Sequence, residues 1–182
     1  GCEASASIVV DPVVCPCDNQ VVNGDFEAGN SGFTSPLNSS CACQGNSYCV
    51  TSNARNKCSN SLWQNVLAPN GTGNYMDVDG SVGTIWSQQI SVVAGNVYDF
   101  CFDYYPNVSG GGTPTLAVAI GGNALGTTSG TNGAWQKVCF NGWTATATGT
   151  FALNITQNNA PQYSDYGIDN IEFGTCCELA LK

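Results

Sequence analysis

The chain has 182 residues, of which 13 are acidic and four are basic, so its formal net charge is −9. This balance excludes nucleic acid and anionic lipid surfaces as partners, because both require clusters of Lys and Arg. The chain has no histidine, which excludes Ser-His-Asp triads, Cys-His pairs and His-ligated catalytic zinc, and we expect a protein that is not an enzyme.

The 11 cysteines are typical of a protein that folds in an oxidising compartment and forms disulfides. Cys15 and Cys17, like Cys41 and Cys43, are separated by one residue, which is too close for the usual zinc knuckle. The numbering starts at Gly1 rather than Met, which fits a mature form left after signal removal, or a fragment. No apolar run approaches the roughly 20 residues of a membrane helix. We therefore expect a secreted or cell-surface protein without membrane insertion.

Residues 1–19 form an N-terminal arm ahead of the main domain. Within it, Ser5 to Val10 is predicted to be a strand. This extension strand is expected either to dock on its own domain or to complete the sheet edge of a second copy, and the sequence leaves both alternatives open.

Residues 20–174 are predicted to form an all-β domain, because short β-rich runs recur between Gly, Asn and Pro turns and no helical periodicity is sustained. This rhythm predicts a β-sandwich. The predicted runs are Asn74 to Val78, Thr84 to Val92, Asn96 to Tyr105, Thr115 to Ile120, Trp135 to Trp143, Thr150 to Thr156 and Gly167 to Phe173.

Alternation within these runs predicts which side chains face the core. Tyr98, Phe100, Phe102 and Tyr104 share one face, as do Leu116, Val118 and Ile120, Phe151, Leu153 and Ile155, and Val138 and Phe140. Cys101 and Cys139 then point away from the core. A disulfide between them is predicted if their strands are neighbours.

The other cysteines fall into two groups. A polar insert, residues 38–60, contains Cys41, Cys43, Cys49 and Cys58. Its composition does not provide a core, so disulfides are expected to hold it in place. Cys15, Cys17, Cys176 and Cys177 lie in the arm and in the C-terminal tail, residues 175–182. The odd total leaves at least one thiol free, modified or paired with another chain.

Two terminal motifs carry a family resemblance: Val21-Val-Asn-Gly-Asp-Phe-Glu27 and Tyr166-Gly-Ile-Asp-Asn-Ile-Glu-Phe173. Together with the Ala94-Gly95 turn and the Trp135-led strand, they resemble the carbohydrate-binding-module-like, or galactose-binding-domain-like, jelly rolls. The resemblance implies a jelly-roll β-sandwich from about Val21 to Phe173. Glycan binders, adhesins and surface proteins share these motifs, so they indicate the fold better than the ligand.

The resemblance also implies a structural calcium that joins the first strand to the last. Glu27 and Asp169 are the matching side chains, and Asp25 is a further candidate. Calcium prefers several oxygen ligands, which these carboxylates would supply. The alternative is that Asp25 caps a turn while Glu27 and Asp169 are solvated.

Carboxylates and aromatic residues are the remaining candidates for chemistry. Asp77 and Asp79 are the nearest approach to a glycosidase pair, but an exposed edge strand running into a turn explains them as well. Exposed aromatic rings would stack on sugars. Trp143 is the first candidate for such a platform because it shares parity with Cys139, and the others are Trp63, Trp86, Trp135 and the segment from Tyr163 to Tyr166.

Four sequons would permit N-glycosylation, at Asn38, Asn70, Asn107 and Asn154. Two functions fit the sequence. The first is a structural or adhesive subunit that joins copies of itself into an extracellular filament or matrix through its terminal strands or disulfides. The second is a carbohydrate-binding module that recognises a polysaccharide through exposed aromatic rings.

Overall fold

A computed structural model describes residues 18–42, 44–57, 65–80, 82–107, 112–161 and 165–175. Several predictions fall outside these residues. They concern the strand from Ser5 to Val10, the C-terminal tail, Trp63, Tyr163, and the cysteines Cys15, Cys17, Cys43, Cys58, Cys176 and Cys177.

The described residues form ten strands and one short helix. In chain order these are β1 Asn38–Ser39, β2 Ser47–Thr51, α1 Ala54–Lys57, β3 Tyr75–Asp79, β4 Gly83–Val92, β5 Val97–Asn107, β6 Leu116–Ile120, β7 Asn123–Thr128, β8 Gln136–Thr144, β9 Gly149–Gln157 and β10 Asp165–Thr175. Among these residues no helix is long and apolar enough to cross a membrane.

The strands form two sheets, which confirms the predicted β-sandwich. The larger sheet has the order β1-β2-β3-β10-β5-β8, and the smaller has the order β4-β9-β6-β7. Each strand pair is antiparallel except β1 with β2. The crossovers place the last strand, β10, between β3 and β5, so the chain's final strand lies inside the larger sheet.

The core lies between the two sheets, where the predicted alternating faces meet. Tyr98, Phe100, Phe102 and Tyr104 are at most 2% exposed, and Leu116, Val118, Ile120, Leu153 and Ile155 are at most 1% exposed. The rings of Tyr98 and Phe173 stack with centroids 5.1 Å apart. Alternating apolar residues on both sheets thus bury one shared interior, as binary patterning requires.

The cysteine-rich insert contributes more to the fold than its composition indicates. β1 and β2 lie within it and extend the larger sheet at the edge of β3. Tyr48 is 5% exposed and belongs to the main core, and its hydroxyl donates to Asn30 Oδ1 at 2.6 Å. A five-residue strand with one core tyrosine was too short to separate from the surrounding polar sequence.

Both disulfides in the described residues agree with the sequence analysis. Cys101 and Cys139 are directly opposite each other on β5 and β8, with Cα atoms 4.2 Å apart, which confirms the predicted cross-strand pair. Cys41 and Cys49 close an eight-residue separation within the insert. The second bond ties the start of the insert to β2.

Candidate functional site

The outer face of the six-stranded sheet, which points away from the core, carries polar residues in register. Alternate residues of neighbouring strands stand opposite one another, so they form rows across the sheet. The rows are Ser47, Asp79, Asp165 and Asn107, then Cys49, Asp77, Gly167 and Tyr105, then Asp169, Asp103 and Lys137, and finally Glu172, Cys101 and Cys139. Carboxylates dominate this face, and its one lysine pairs with Glu172 at 3.0 Å.

An aromatic cluster lies beside the second row. Trp135 meets Tyr75 edge to face, with ring centroids 5.4 Å apart at 86°, and Tyr105 at 5.4 Å and 58°. Its indole N–H donates to the Leu67 carbonyl at 2.8 Å. Tyr75 is fully buried, whereas Tyr105 and Trp135 are half-buried. Three separate contacts therefore fix a tryptophan ring that keeps part of its surface in solvent.

Gly167 makes this arrangement sterically feasible. A Cβ at this position would lie 2.8 Å from Trp135 Cη2 and 3.0 Å from Tyr75 Cδ2. A glycine inside a strand commonly marks such a close approach. Both rings therefore pack directly over the backbone of β10, between Asp77 and Tyr105 in the same row.

Residues 53–57 and 65–68 partly cover this side of the sheet. Ala54, Val66 and Ala68 are buried with Tyr75 in a small second core, and Trp135 and Tyr105 pack against it. The Tyr75 hydroxyl donates to the Val66 carbonyl at 3.0 Å. Burial raises the pKa of Tyr75, and the nearby Asp77 carboxylate raises it further. The cluster therefore joins apolar surface to a carboxylate within one patch.

Asp169 is a buried acid of the outer face whose pKa is strongly shifted. It is 4% exposed, and burial raises the pKa of its carboxyl to about 8. The hydrogen bond from the Asn170 N–H opposes this shift. The carboxylates of Asp103, Asp25 and Glu27 then add to the rise in pKa. The first and last motifs of the domain thus bring negative charges together.

A β-bulge between Asp169 and Glu172 shapes this end of the site. Asn170 has a φ of 47°, in the left-handed region that Asn tolerates better than most residues. Its side-chain amide donates to Asp103 Oδ2 at 2.7 Å. The extra residue lets Ile168 and Ile171 both enter the core while Asp169 stays on the outer face.

Glu27 has a space prepared for its carboxylate. Its Oε1 accepts the Asn74 N–H at 2.6 Å, and a Cβ at Gly73 would lie 2.2 Å from that oxygen. Gly73 has a φ of 90°, so both its backbone and its missing side chain suit this position. Asp25 Oδ1 accepts the Glu27 N–H at 3.3 Å, which is the turn contact expected in the alternative to calcium binding.

These carboxylates have the negative charge that a calcium ion requires. They also come from both ends of the domain, Asp25 and Glu27 from the start and Asp169 from the end. Asp169 is buried, so it is not a solvated acid, whereas Glu27 and Asp25 are exposed. Within the described ranges, no three carboxylate or thiolate side chains are close enough together to hold a metal ion. Calcium at Glu27 and Asp169 would therefore also require backbone carbonyl ligands, and it stays a proposal.

The predicted sugar platform differs from the observed one. Trp143 does not share the outward direction of Cys139, because a bulge between Tyr98 and Phe100 in the β5–β8 pair reverses the alternation. Its ring packs on Tyr98 at 6.0 Å and Phe173 at 6.3 Å. Trp86 is fully buried. Of the tryptophans in the described residues, Trp135 is the one that lies on the outer face beside the polar rows.

The carboxylate pair on β3 occupies the outer face as alternation requires. Asp77 is 1% exposed and Asp79 is half-buried, and they stand opposite Gly167 and Asp165, respectively. Both belong to neighbouring rows of a continuous sheet surface.

The four sequon asparagines differ in accessibility. Asn38 and Asn70 are exposed and Asn154 is half-buried, whereas Asn107 is only 7% exposed. Glycosylation at all four stays a prediction.

Sequence reasoning included Trp135 among five aromatic candidates but did not single it out. The useful signals were Gly167 within a β-rich run and Tyr105 on the opposite face from Tyr104. Neither signal indicates that β10 lies beside β5, which is what brings Gly167, Tyr105 and Trp135 together.

Comparison with known proteins gives the fold. No protein-family model matches the sequence, and no curated protein matches it. Among solved structures, TmCBM61 in complex with β-1,4-galactotriose has a TM-score of 0.56 and 16% identity over 87% of this chain and 99% of that chain. A cyclase from Fischerella sp. TAU in complex with 4-(1H-indol-3-yl)butan-2-one has a TM-score of 0.61 and 15% identity over 88% and 98%.

A further cyclase structure from Fischerella sp., in its apo form, has a TM-score of 0.57 and 16% identity over 88% of this chain and 97% of that chain. At these identities the similarity shows the fold alone, and that fold serves both a sugar-binding module and an enzyme. The chain therefore has the jelly-roll β-sandwich fold of carbohydrate-binding modules, as its terminal motifs predict.

Proposed function

We propose that the chain is a secreted, non-catalytic module that binds a neutral polysaccharide on the outer face of its six-stranded sheet. The observation that carries this proposal is Trp135, which is held over Gly167 by Tyr75, Tyr105 and the Leu67 carbonyl. A fixed ring that keeps part of its surface in solvent offers a flat apolar surface for a sugar ring at little cost in side-chain entropy.

Polar groups around Trp135 supply the hydrogen bonds that a sugar needs. Tyr105 belongs to the row beneath it, and Asp103 lies in the next row, and both are half-buried. Carboxylates accept hydrogen bonds from sugar hydroxyls. The same charges repel uronic acids and sulfated sugars, and the net charge of −9 adds to that repulsion. This favours neutral glycans.

A binding function explains the site better than catalysis. The chain contains no histidine, so an acid–base pair would have to be built from carboxylates. Asp77 and Asp79 lie in one sheet surface rather than on opposite walls of a cleft. The Fischerella cyclases show that this fold also serves enzymes, and turnover of a bound glycan is the outcome that would favour that alternative.

The test is a calorimetric titration with neutral oligosaccharides, beginning with β-1,4-galactan fragments because TmCBM61 was solved with β-1,4-galactotriose. We expect a Kd between about 1 mM and 1 μM for the right glycan. Trp135→Ala should weaken binding by about tenfold or more, equivalent to roughly 1.4 kcal/mol. Trp143→Ala is the matched control, because it removes the same side chain from the core edge.

The outcome that would contradict this site is equal loss of binding in both variants, or unchanged binding in Trp135→Ala. A glycan array of neutral polysaccharides that shows no binding would overturn the function itself. Reducing-sugar release during the titration would show catalysis.

We also propose that calcium joins the two ends of the domain through Glu27 and Asp169. The prepared space at Gly73 and the accumulation of negative charge around Asp169 support this site. The ion would neutralise carboxylates that otherwise repel one another. The two disulfides are consistent with secretion into an oxidising environment, where millimolar calcium is commonplace.

A second candidate function is a structural or adhesive subunit that joins copies of itself. The specific observation that favours it is an open strand edge on β4, described next. Glycan binding and self-association use different surfaces of the domain, so one protein is able to do both.

A further inference from the structure

A groove runs along the edge of β4 that faces away from β9. Among the described residues, no strand fills it. Two adjoining cavities of about 560 Å³ and 520 Å³ form it, and Gln20 lines both. We call this feature the edge groove. β4 forms one wall, and the segment 18–22, which is held against the end of β10, forms the other.

The backbone of β4 presents hydrogen-bonding groups to this groove. Ser87 exchanges both of its backbone hydrogen bonds with Thr34, at 2.9 Å each, so its N–H and C=O point away from β9. Alternate residues of a strand point the same way, which directs the N–H and C=O of Gln89 and Ser91 into the edge groove. Among the described residues, no strand pairs with β4 on this side beyond Thr34.

The groove is also bordered by apolar side chains that solvent would otherwise touch. Val22 is 64% exposed and Val93 is 52% exposed, and they line opposite ends of it. An unpaired strand edge flanked by exposed valines is the kind of edge on which another strand adds. The occupant that fits is an extended peptide with one apolar face.

The chain itself carries such a peptide. In the segment from Ser5 to Val10, alternation places Ala6, Ile8 and Val10 on one wholly apolar face, and Ser5, Ser7 and Val9 on the other, mixed face. One face would cover the groove and the other would face water. Asp18, the first of the described residues, lines the groove. We propose that the Ser5–Val10 segment of a second copy pairs with β4 in the edge groove.

Strand direction favours a second copy over the segment's own domain. Asp18 lies near Ser91 and Val93, and Val22 is bonded to the Gln88 side chain, so the segment 18–22 runs antiparallel to β4. A strand that folds back beside 18–22 would therefore run parallel to β4. Every pair in the four-stranded sheet is antiparallel, and antiparallel pairing is the more stable form.

The linker between the Ser5–Val10 segment and Asp18 sets how far that segment reaches from its own domain. Residues 11–17 separate the strand from Asp18 and span at most about 25 Å when extended. Pro12 and Pro16 favour extended conformations at the residues that precede them. Because each copy has one such segment and one groove, the contact either closes a pair by reciprocal exchange or, when it passes from copy to copy, extends a linear assembly. This inference deepens the second candidate function and is independent of glycan binding.

The test measures the mass of the full chain, with its disulfides intact, by size-exclusion chromatography with light scattering over a range of concentrations. The wild type should form species of two or more chains. Ile8→Asp should reduce them to the 18.9 kDa monomer, because a charge would enter the groove. Ser7→Asp is the matched control, since it adds the same charge on the opposite face and should leave assembly unchanged.

Mixing two defective variants distinguishes exchange from docking on the same chain. Gln20→Trp should fill the groove, and Ser91→Pro, which removes one edge N–H, is a second way to block it. Each is expected to be monomeric. Ile8→Asp retains an open groove and Gln20→Trp retains the strand, so their mixture should give a species of twice the chain mass. Near-ultraviolet circular dichroism checks that each variant is folded.

A wild type that is monomeric at every concentration would overturn both the strand exchange and the second candidate function. Assembly that survives Ile8→Asp would overturn the exchange but leave self-association standing. A monomeric mixture in which Ile8→Asp lowers the unfolding temperature would show that the segment docks on its own domain, against this proposal.

Discussion

Trp135 lies so close to Gly167 that the added Cβ of an alanine would come within 2.8 Å of the indole ring. Gly167→Ala should therefore displace Trp135 and Tyr75 and weaken glycan binding at least severalfold. The overpacking should also lower the free energy of unfolding by about 1–3 kcal/mol. Titration and urea denaturation measure the two effects.

Gly112→Ala is the control for that substitution, because nothing lies within 4 Å of a Cβ at Gly112. It should leave both quantities unchanged. If Gly167→Ala bound glycan as well as the wild type does, the platform would not be the binding site.

The stability of the calcium-free domain should fall as the pH rises from about 4 to about 8. The pKa of Asp169 is raised to about 8 in the folded chain, above its value of about 3.9 when unfolded, so folding is favoured while this group is protonated. That contribution is complete below about pH 4 and lost as the pH passes through 8. Urea denaturation in chelator at several pH values measures the slope, which Asp169→Asn should flatten.

Calcium should reverse this loss. At pH 8, calcium at 100 times its Kd should raise the free energy of unfolding by about 2.7 kcal/mol. Glu27→Gln and Asp169→Asn should each reduce this gain, whereas magnesium should not reproduce it. Equal stabilisation of the wild type and Asp169→Asn by calcium would place the ion elsewhere.

The two described disulfides should differ in their contribution to stability. Cys101 and Cys139 close a separation of 38 residues, and Cys41 and Cys49 close one of eight. The chain-entropy relation gives about 4 kcal/mol for the first loop and about 2.5 kcal/mol for the second. Denaturation of the double variants Cys101→Ala/Cys139→Ala and Cys41→Ala/Cys49→Ala compares them, and a larger loss in the second would contradict this order.

Tyr166 and Gln157 join the two sheets through one buried hydrogen bond of 2.9 Å. Tyr166→Phe should remove this donor and lower the free energy of unfolding by about 1–3 kcal/mol, since it leaves a buried acceptor with one bond fewer. The nearby Tyr104→Phe is the comparison, because its hydroxyl donates to the Pro114 carbonyl and does not bridge to Gln157. Thermal denaturation gives the loss of stability in each variant. The comparison separates the effect of removing a buried tyrosine hydroxyl in general from the effect of removing the Tyr166–Gln157 hydrogen bond.

The sandwich could be predicted because its core residues alternate in the sequence. Tyr98 to Tyr104 and Leu116 to Ile120 follow strict alternation, and the pairing of Cys101 with Cys139 follows from the same pattern. β7 was not predicted because none of its residues is buried, so its sequence has no apolar face to detect.

The site was harder to predict because it depends on pairing between distant strands and on bulges. One bulge turns Trp143 toward the core, against simple alternation, and another keeps Asp169 outside while Ile171 turns inward. Each bulge carries one local signal, Gly142 in β8 and Asn170 in β10, both with positive φ, but the pattern of apolar and polar residues does not show it. The aromatic platform likewise requires β10 to insert between β3 and β5. This pairing joins strands that are far apart in the sequence, so a local sequence pattern does not predict it.

Asp18 Oδ1 accepts both the N–H and the hydroxyl of Thr175, at 2.7 Å and 2.9 Å, so the two ends of the described domain leave it side by side. Tension applied through those ends would therefore load this pair of hydrogen bonds first and would peel the segment 18–22 from β10 one bond at a time. The rest of the sandwich would lie to one side of the axis along which the force acts. Single-molecule pulling from residues 18 and 175 should then show an early low-force extension before the strands separate.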